Sequence, residues 1–541
     1  MKKRYGILSF VLAACIAASL FAGCSGSQGG GGAASSGGGS ASEGVTLPLK
    51  EPVNIKIITR VGGGGLTSMD PLPEIFLKIQ EETNIVVDWQ LLTPDYYTSM
   101  NTMLAAGDVD ADMIFVPGDP VKFIESGLFT PLDDLIPKYP NIKAAFEYRP
   151  EIQALCVYDG KQYTLPHRFC VSTKGRTSPP EWVVTTLSRQ DVIDEYGIKN
   201  PTTIDEMYDY MKMWKQDNPD MYPWIIRGGI GGGGGFGVMA FAGSYGLYLG
   251  NGDSNDWYPE NGKMVYQWIK PEMETYINVL RQWYSEGLIN PAYTVGADGG
   301  KAMADIQNGY AILTQGYPTE IAAYGWYATA DGGEWTPMGL PKGPKGDQLV
   351  LNTSGGVMGG YSAILATSKN ADYVLAWLDH GVYSELGLIR LYYGLEGVTY
   401  EMVNGEPKLT DAWLAQDAWT TKLFDMGTQM ESLPIPYSAE HTASYDFMTY
   451  DGNGIPHQWE PTIHLKDNAL PGYYSPLATP AEAETVARYL TDLNTYRDET
   501  VAKWILGTEP VDFQKFVDTL KSMGLDELQK IEQDKYDRMK K

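Results

Sequence analysis

Histidine and cysteine are scarce in this chain of 541 residues, which has five of the first and four of the second. His167, His380, His441, His457 and His464 show no i,i+4 pairing and no two cysteines are spaced C-x-x-C, so no zinc ligand set is spelled out. A G-x-S-x-G nucleophile element is missing as well. Gly228 to Gly237 (GGIGGGGGFG) satisfies G-x-G-x-x-G only because nearly every position is glycine. It lacks the Lys-Ser/Thr that follows in a phosphate loop and the short strand-turn-helix setting of a dinucleotide site, and reads as a mobile loop, placed by expectation at the mouth of a cleft. Basic residues are outnumbered, 41 against 67 acidic, for a formal charge of −26. Such a field repels nucleic acid and favours a neutral ligand over a polyanion, although a cleft can be locally basic within an acidic body. With so many acids, pairs of carboxylates are unavoidable and do not by themselves indicate a glycosidase.

What is present begins at the N-terminus. Met1, Lys2, Lys3 and Arg4 have the charge of a signal-peptide n-region, and an apolar stretch from Gly6 to Ala22 follows. It ends at Phe21-Ala22-Gly23-Cys24, small residues before a cysteine in the manner of a bacterial lipobox, where the thiol is acylated and the peptide cut just before it. Cys24 is therefore the expected lipidation site, giving a protein held at a membrane surface without spanning it. The next 20 residues, SGSQGGGGAASSGGGSASEG, have no apolar period and read as a tether with a reach of roughly 25 Å. Of the other cysteines, Cys15 falls in the signal, and Cys156 and Cys170 flank a hairpin, where a disulfide or two buried thiols are both open.

The ordered body starts near Val53. A strand (Asn54 to Thr59), a helix (Leu72 to Thr83), a strand (Ile85 to Leu91), a helix (Tyr96 to Ala106, stopped by Gly107) and a strand (Met113 to Val116) predict a largely parallel sheet covered by helices. Ligands bind such sheets at loops beyond the carboxyl ends of the strands, here Arg60 to Ser68 and Pro117 to Asp119. Asp159-Gly160 marks a hairpin. Helices at Asp191 to Tyr196, Thr203 to Lys215 and Pro271 to Ser285 belong to a second lobe, and Tyr310 to Thr314 is read as the strand that returns to the first. A long amphipathic helix over Ala481 to Leu506, with Val486, Leu490, Leu493, Val501 and Ile505 inward and Gly507 as its cap, precedes helices at Val511 to Met523 and from Asp526 onward.

Four segments, SGLFTPLDDLI (Ser126 to Ile136), DGKQYTLP (Asp159 to Pro166), YYGLEGVTYE (Tyr392 to Glu401) and WILGTEPVDFQKFVDTLKSMGLDELQKI (Trp504 to Ile531), resemble the family 1 extracellular solute-binding lipoproteins of bacterial ABC importers, in that family's order. The resemblance is to the long, carbohydrate-associated subgroup. It implies an α/β chain with the type II periplasmic-binding-protein fold, two α/β lobes around a ligand cleft with hinge crossovers and a helical C-terminus. It also implies no enzymatic activity, no cofactor, capture of an extracellular oligosaccharide, and delivery by a lipid-anchored monomer to ABC permease subunits at the outer face of the cytoplasmic membrane. The same fold binding a peptide or signal molecule is the competing reading, and a surface-anchored polysaccharide-cleaving enzyme a more distant one. The expected division is 1–23 signal peptide, 24–50 lipidated cysteine and tether, 51–170 first lobe, 171–309 second lobe, 310–380 return to the first, and 381–541 the remainder of the second with the C-terminal helices. Many long members carry a calcium loop after the helix that follows a Pro-Thr-Thr element; here that region is WKQDNPDMYPW (Trp214 to Trp224), without the glycine and spaced oxygen ligands, so no metal site is expected.

Aromatic faces with polar neighbours suit sugars, and the chain has 36 Tyr and 14 Trp, most of which must be core. Position selects the candidates. Arg60 opens the loop after the first strand. Asp119 follows the third, where its carboxylate can accept from sugar hydroxyls or cap a helix. His167 and Arg168 follow the hairpin, and the guanidinium fork of Arg168 suits hydroxyls, an acidic sugar or a salt bridge. Trp182 and Tyr317 are placed as stacking platforms, Trp326 as a third, and Glu396 either touches ligand or braces the hinge.

Overall fold

A computed structural model describes residues 44–60, 68–92, 95–167, 169–172, 184–229, 235–249, 256–291, 299–316, 321, 327, 329–352, 360–416, 419–428, 430, 433–438, 469–471 and 473–540. Cys24, Arg168, Trp182, Tyr317 and Trp326 lie outside the described residues, as do most of the tether and residues 230–234 of the glycine loop.

The first lobe opens with β1 (Val53–Arg60), α1 (Glu74–Thr83), β2 (Ile85–Leu92), α2 (Tyr96–Ala106), β3 (Met113–Phe115) and the short α3 (Val121–Glu125). Period-two alternation in β1 sends Ile55 and Ile57 to one face and Ile58 to the other, so both faces of the sheet need a cover. Helix α1 supplies one cover through Ile75, Phe76 and Ile79, and α2 the other through Tyr96, Met100 and Leu104. Gly107 ends α2 at φ 68° and donates to the last carbonyls. Asp159 and Gly160, both at positive φ, turn Val157–Tyr158 onto Lys161–Gln162, after which β4 (Leu165–Pro166) completes the outgoing chain.

The chain then builds the second lobe from β5 (Thr185–Arg189), α4 (Ile204–Asp217), α5 (Pro271–Ser285), β6 (Leu313–Gly316) and β7 (Trp335–Pro337). Strand β5 is central, with β6 and β7 antiparallel on either side. Thr203 and Glu206 form a reciprocal capping box at the start of α4. Strands β8 (Val350–Asn352) and β9 (Tyr361–Ile364), then α6 (Ala371–Leu378) and α7 (Glu385–Tyr393), carry the chain back into the first lobe. The last elements are β10 (Ala469–Pro471), α8 (Pro480–Leu506), α9 (Phe513–Ser522) and α10 (Leu525–Met539). The first lobe's sheet has the order β2-β1-β3-β9-β4, with β9 antiparallel to both neighbours, and β8 lies parallel to β10 as a two-stranded ribbon.

Two expectations change and one open alternative is decided. Leu313–Gly316, the strand that Tyr310 to Thr314 anticipated, does not return to the first lobe; it pairs with Thr185–Arg189, and the returning strand is Tyr361–Ile364. Both segments are short and apolar, and local pattern does not say which sheet will hydrogen-bond them. Residues from Val382 to Ile435, assigned by sequence to the second lobe, pack with Ile57, Phe76 and Trp377 in the first lobe's core. Cys156 is a free thiol, so it forms no disulfide with Cys170; full burial pushes it up to about 12.

Helix α8 begins against the first lobe, where Leu477 and Ala483 pack on the Val121 and Phe123 side, and ends inside the second, where Leu493, Val501, Trp504 and Ile505 are buried. Gly507 caps it at φ 74°. Among the described residues no helix is long and apolar enough to cross a membrane.

Within the first lobe, Glu82 at the end of α1 receives both Nη atoms of Arg390 at 2.7 Å, and His380 Nε2 at 3.0 Å. The Arg390 hydrogen bonds pull the carboxyl down to about 2 against the opposing effect of burial, with His380 assisting. A depressed carboxylate stabilises the fold above its unfolded-state value and loses that contribution as pH falls through the folded one. Glu82→Gln is therefore expected to flatten the fall of the unfolding midpoint between pH 4.5 and about 2, measured by thermal denaturation across that range; an unchanged acid limb would refute the assignment.

Candidate functional site

Two of the expected residues, Arg60 and His167, converge on one phenylalanine. Phe115 ends β3 at the carboxyl edge of the first lobe's sheet, 2% exposed. The guanidinium of Arg60, ending the neighbouring β1, lies over its ring at 5.0 Å, and His167 meets it edge-on at 5.1 Å. Tyr96 and Tyr97, opening α2, approach it at 5.6 and 6.3 Å. The Tyr96 hydroxyl donates to the Phe115 carbonyl, and burial pushes that phenol far above its usual range. Gly360, at φ 116°, precedes β9; a Cβ there would come within 3.1 Å of the Phe115 ring, so glycine is what lets the returning strand lie this close.

Above this ring lies a cavity of about 380 Å³, lined on the first-lobe side by Tyr97, Phe115, Asp119 and Tyr361 and on the other by Ser475 to Ala478 and Lys535. Its size falls in the range of small-molecule sites, and it mixes aromatic faces with few polar groups. Asp119 stands exposed at its rim, with Oδ1 accepting from the Val121 N–H at 2.9 Å. The hydrogen-bonding capacity that remains on the carboxylate is free to take hydroxyl donors. Lys535, on α10, is 8% exposed and pairs with Glu532 at 2.8 Å, whose other oxygen accepts from Ser475 at 2.9 Å. A second cavity of about 310 Å³, between the Tyr158 to Gly160 hairpin and Arg538, shares the wall formed by Pro476, Leu477 and Ala478.

His167 departs from its expected place. It is fully buried, with Nε2 at 2.8 Å from Ser362 Oγ, and supports the Phe115 ring from beneath because its backbone is drawn into the sheet by the bond from its N–H to the Gly360 carbonyl. Glu396 departs further: it is exposed on the turn after α7, where Thr399 ties the chain back to Tyr393 and Leu395, and it does not line this cavity. Tyr97, Phe115, Tyr361, Ser475 and Lys535 were not anticipated. Tyr97 sits just past the loop after β2, a carboxyl-end loop that the strand pattern could have marked beside the two it did; nothing in the local pattern points to Lys535.

Among the described residues no group of three acidic, His or Cys side chains could hold a metal. In the segment after α4, the Lys215 ammonium donates to the carbonyls of Pro219 and Met221 at 2.8 and 2.6 Å and faces the Tyr222 ring at 5.1 Å.

Residues 63–381 match the family of bacterial extracellular solute-binding proteins. The chain belongs to that family. This solute-binding protein is 23% identical, over 523 residues and 92% of both chains, to the fructooligosaccharide ABC transporter substrate-binding protein FusA of Streptococcus pneumoniae. Its fold is similar to that of the alginate-binding protein AlgQ2 solved without calcium ion, with a TM-score of 0.72 at 23% identity over 92% of this chain and 100% of that one. It also resembles FusA in complex with kestose, with a TM-score of 0.70 at 20% identity over 90% and 99%. The solute-binding protein therefore has the two-lobed α/β fold expected of it, and it is a binding protein, not an enzyme.

Asp119 both turns the chain into α3, through its bond from the Val121 N–H, and stands at the cavity rim, and the two roles separate by substitution. Asp119→Ala is expected to cost about 1 kcal/mol in urea unfolding by loss of that hydrogen bond, and Asp119→Asn only a few tenths. Equal stability of all three proteins would remove the turn-forming role.

Proposed function

We propose that this protein captures an oligosaccharide between its lobes and delivers it to an ABC permease, held at the outer face of the membrane by lipid on Cys24. The observation that carries the reading is the cavity at the carboxyl edge of the first sheet, where Tyr97, Phe115 and Tyr361 offer ring faces beside the Asp119 carboxylate. Sugars present C–H patches between hydroxyls, which match such faces and acceptors. Full-length similarity to a fructooligosaccharide-binding protein and likeness of fold to an alginate-binding one support the same ligand class.

In this reading the parallel ribbon of Val350–Asn352 and Ala469–Pro471 is the hinge. Closure excludes water from the cavity and strengthens each hydrogen bond within it, and the closed form is what the permease would select. Arg60 and Asp119 are assigned to the ligand-facing wall, with Arg168, Trp182, Tyr317 and Trp326 as further contacts from outside the described residues.

Titration calorimetry and small-angle scattering against a panel of oligosaccharides test this directly. At least one member is expected to bind and to reduce the radius of gyration, and Asp119→Asn to weaken it by about tenfold; a panel that neither binds nor compacts the protein, beside a peptide pool that does, would overturn the carbohydrate reading. For the anchor, palmitate labelling in a bacterial host is expected to mark the wild type and leave Cys24→Ala unlabelled and released to the medium.

A further inference from the structure

Acidic side chains outnumber basic ones by 67 to 41, and four arginines of the fold pair with carboxylates, while Arg281 donates to the Trp504 and Glu509 carbonyls. Arg189 pairs with Asp191 and Asp331, Arg390 with Glu82, Arg497 with Asp256 and Asp498, and Arg538 with Glu482. Arg60 is different. No carboxylate pairs with it among the described residues, and its Nε is buried with no hydrogen-bond partner. The candidates for an internal counter-ion nearby are otherwise engaged. Tyr96 is kept protonated by burial, with its hydroxyl committed to the Phe115 carbonyl, and Glu532 on the opposite wall is matched by Lys535. Leaving a guanidinium N–H out of water and unmet is unfavourable, and such groups in folded proteins call for an explanation.

Resting on the carbohydrate reading above, we propose that Arg60 recognises a carboxylate on the ligand, so that the captured oligosaccharide carries uronic acid units. The guanidinium fork matches a carboxylate with two parallel hydrogen bonds, a geometry that hydroxyls do not reproduce. The Arg60 guanidinium lies over the ring of Phe115, which itself lines the cavity, and the residue is only partly buried, so an arriving carboxylate can reach it. Asp119, at the rim of the cavity that Phe115 lines, is left to accept the hydroxyls of the sugar ring. The charge of −26 opposes an anionic ligand at long range, which is why composition pointed to a neutral one. That field is screened beyond about 8 Å at physiological ionic strength, and at contact the local pair decides.

The test is calorimetry with oligogalacturonates, oligomannuronates and oligoglucuronates of two to six units, each beside its carboxyl-reduced neutral counterpart, on wild type, Arg60→Gln and Arg60→Lys. One acidic series is expected to bind about tenfold or more tighter than its reduced partner. Arg60→Gln should abolish that difference, and Arg60→Lys should restore part of it. Thermal unfolding of the variants near the wild-type midpoint establishes that the fold is intact. Equal affinity for acidic and reduced forms, or binding confined to neutral sugars, would overturn the uronate inference and leave the carbohydrate reading standing. An Arg60→Gln variant that weakens both forms equally would assign Arg60 a positioning role only and overturn it too. Binding by neither form, together with none by neutral oligosaccharides of other stereochemistry, would remove both readings at once.

Discussion

The antiparallel pairing of Tyr361–Ile364 with Met113–Phe115 is the contact on which the molecule depends. Ser362 lies opposite Phe115, Ala363 opposite Ile114 and Ile364 opposite Met113, and the chain between them has left the first lobe, built the second and come back. Closing a loop of that length is entropically unfavourable, though the cost grows only slowly with length. Ile114, Ala363 and Ile364 are all fully buried at the junction, and their removal from water offsets it. The same register brings Gly360 beneath Phe115, lets the Val116 N–H donate to the Tyr361 carbonyl and the His167 N–H to that of Gly360, and so builds the wall of the cavity. A strand and a binding wall are one structural event here.

The C-terminal helices supply the other wall by a different means. Arg497 on α8 is buried over the Trp268 ring at 4.7 Å and pairs with Asp256 and Asp498, which fixes the helix in the second lobe. Removing one partner of such a network leaves a buried charge unmet, so it resists rearrangement more than it adds stability. With that end held, the other end of α8 meets α10 through Arg538 and Glu482, and the segment Ser475 to Ala478 is stretched across to the first lobe. Lys535 reaches the cavity only because α10 packs back along α8.

Periodicity made most of the elements legible. The alternation in VNIKIITR, the i,i+4 face of Ile75, Phe76 and Ile79, the Asp159-Gly160 turn and the caps at Gly107 and Gly507 each report on backbone conformation within a few residues, and each is found as read. The placement of Arg60 and Asp119 at strand ends was likewise legible, since it needs only the end of a strand and the rule that ligands gather there. What was not legible was membership. YAILT and YSAI are alike as short apolar segments, yet one belongs to each sheet, and the choice is made by hydrogen-bond partners far away in sequence. The same ambiguity sent residues 382–435 to the wrong lobe and left Lys535 unnoticed.

Sequence alone determined the local conformations, the acidic surface and the candidate tether cysteine, because these follow from side-chain chemistry and near neighbours. Tertiary structure decided that His167 is fully buried against Phe115, that Cys156 stays a thiol, that Glu396 does not line the cavity, and that Arg60 has no counter-ion among the described residues. Each of those outcomes depends on what a side chain meets across the fold, and burial and partnership are properties of the packed chain that no window of sequence contains.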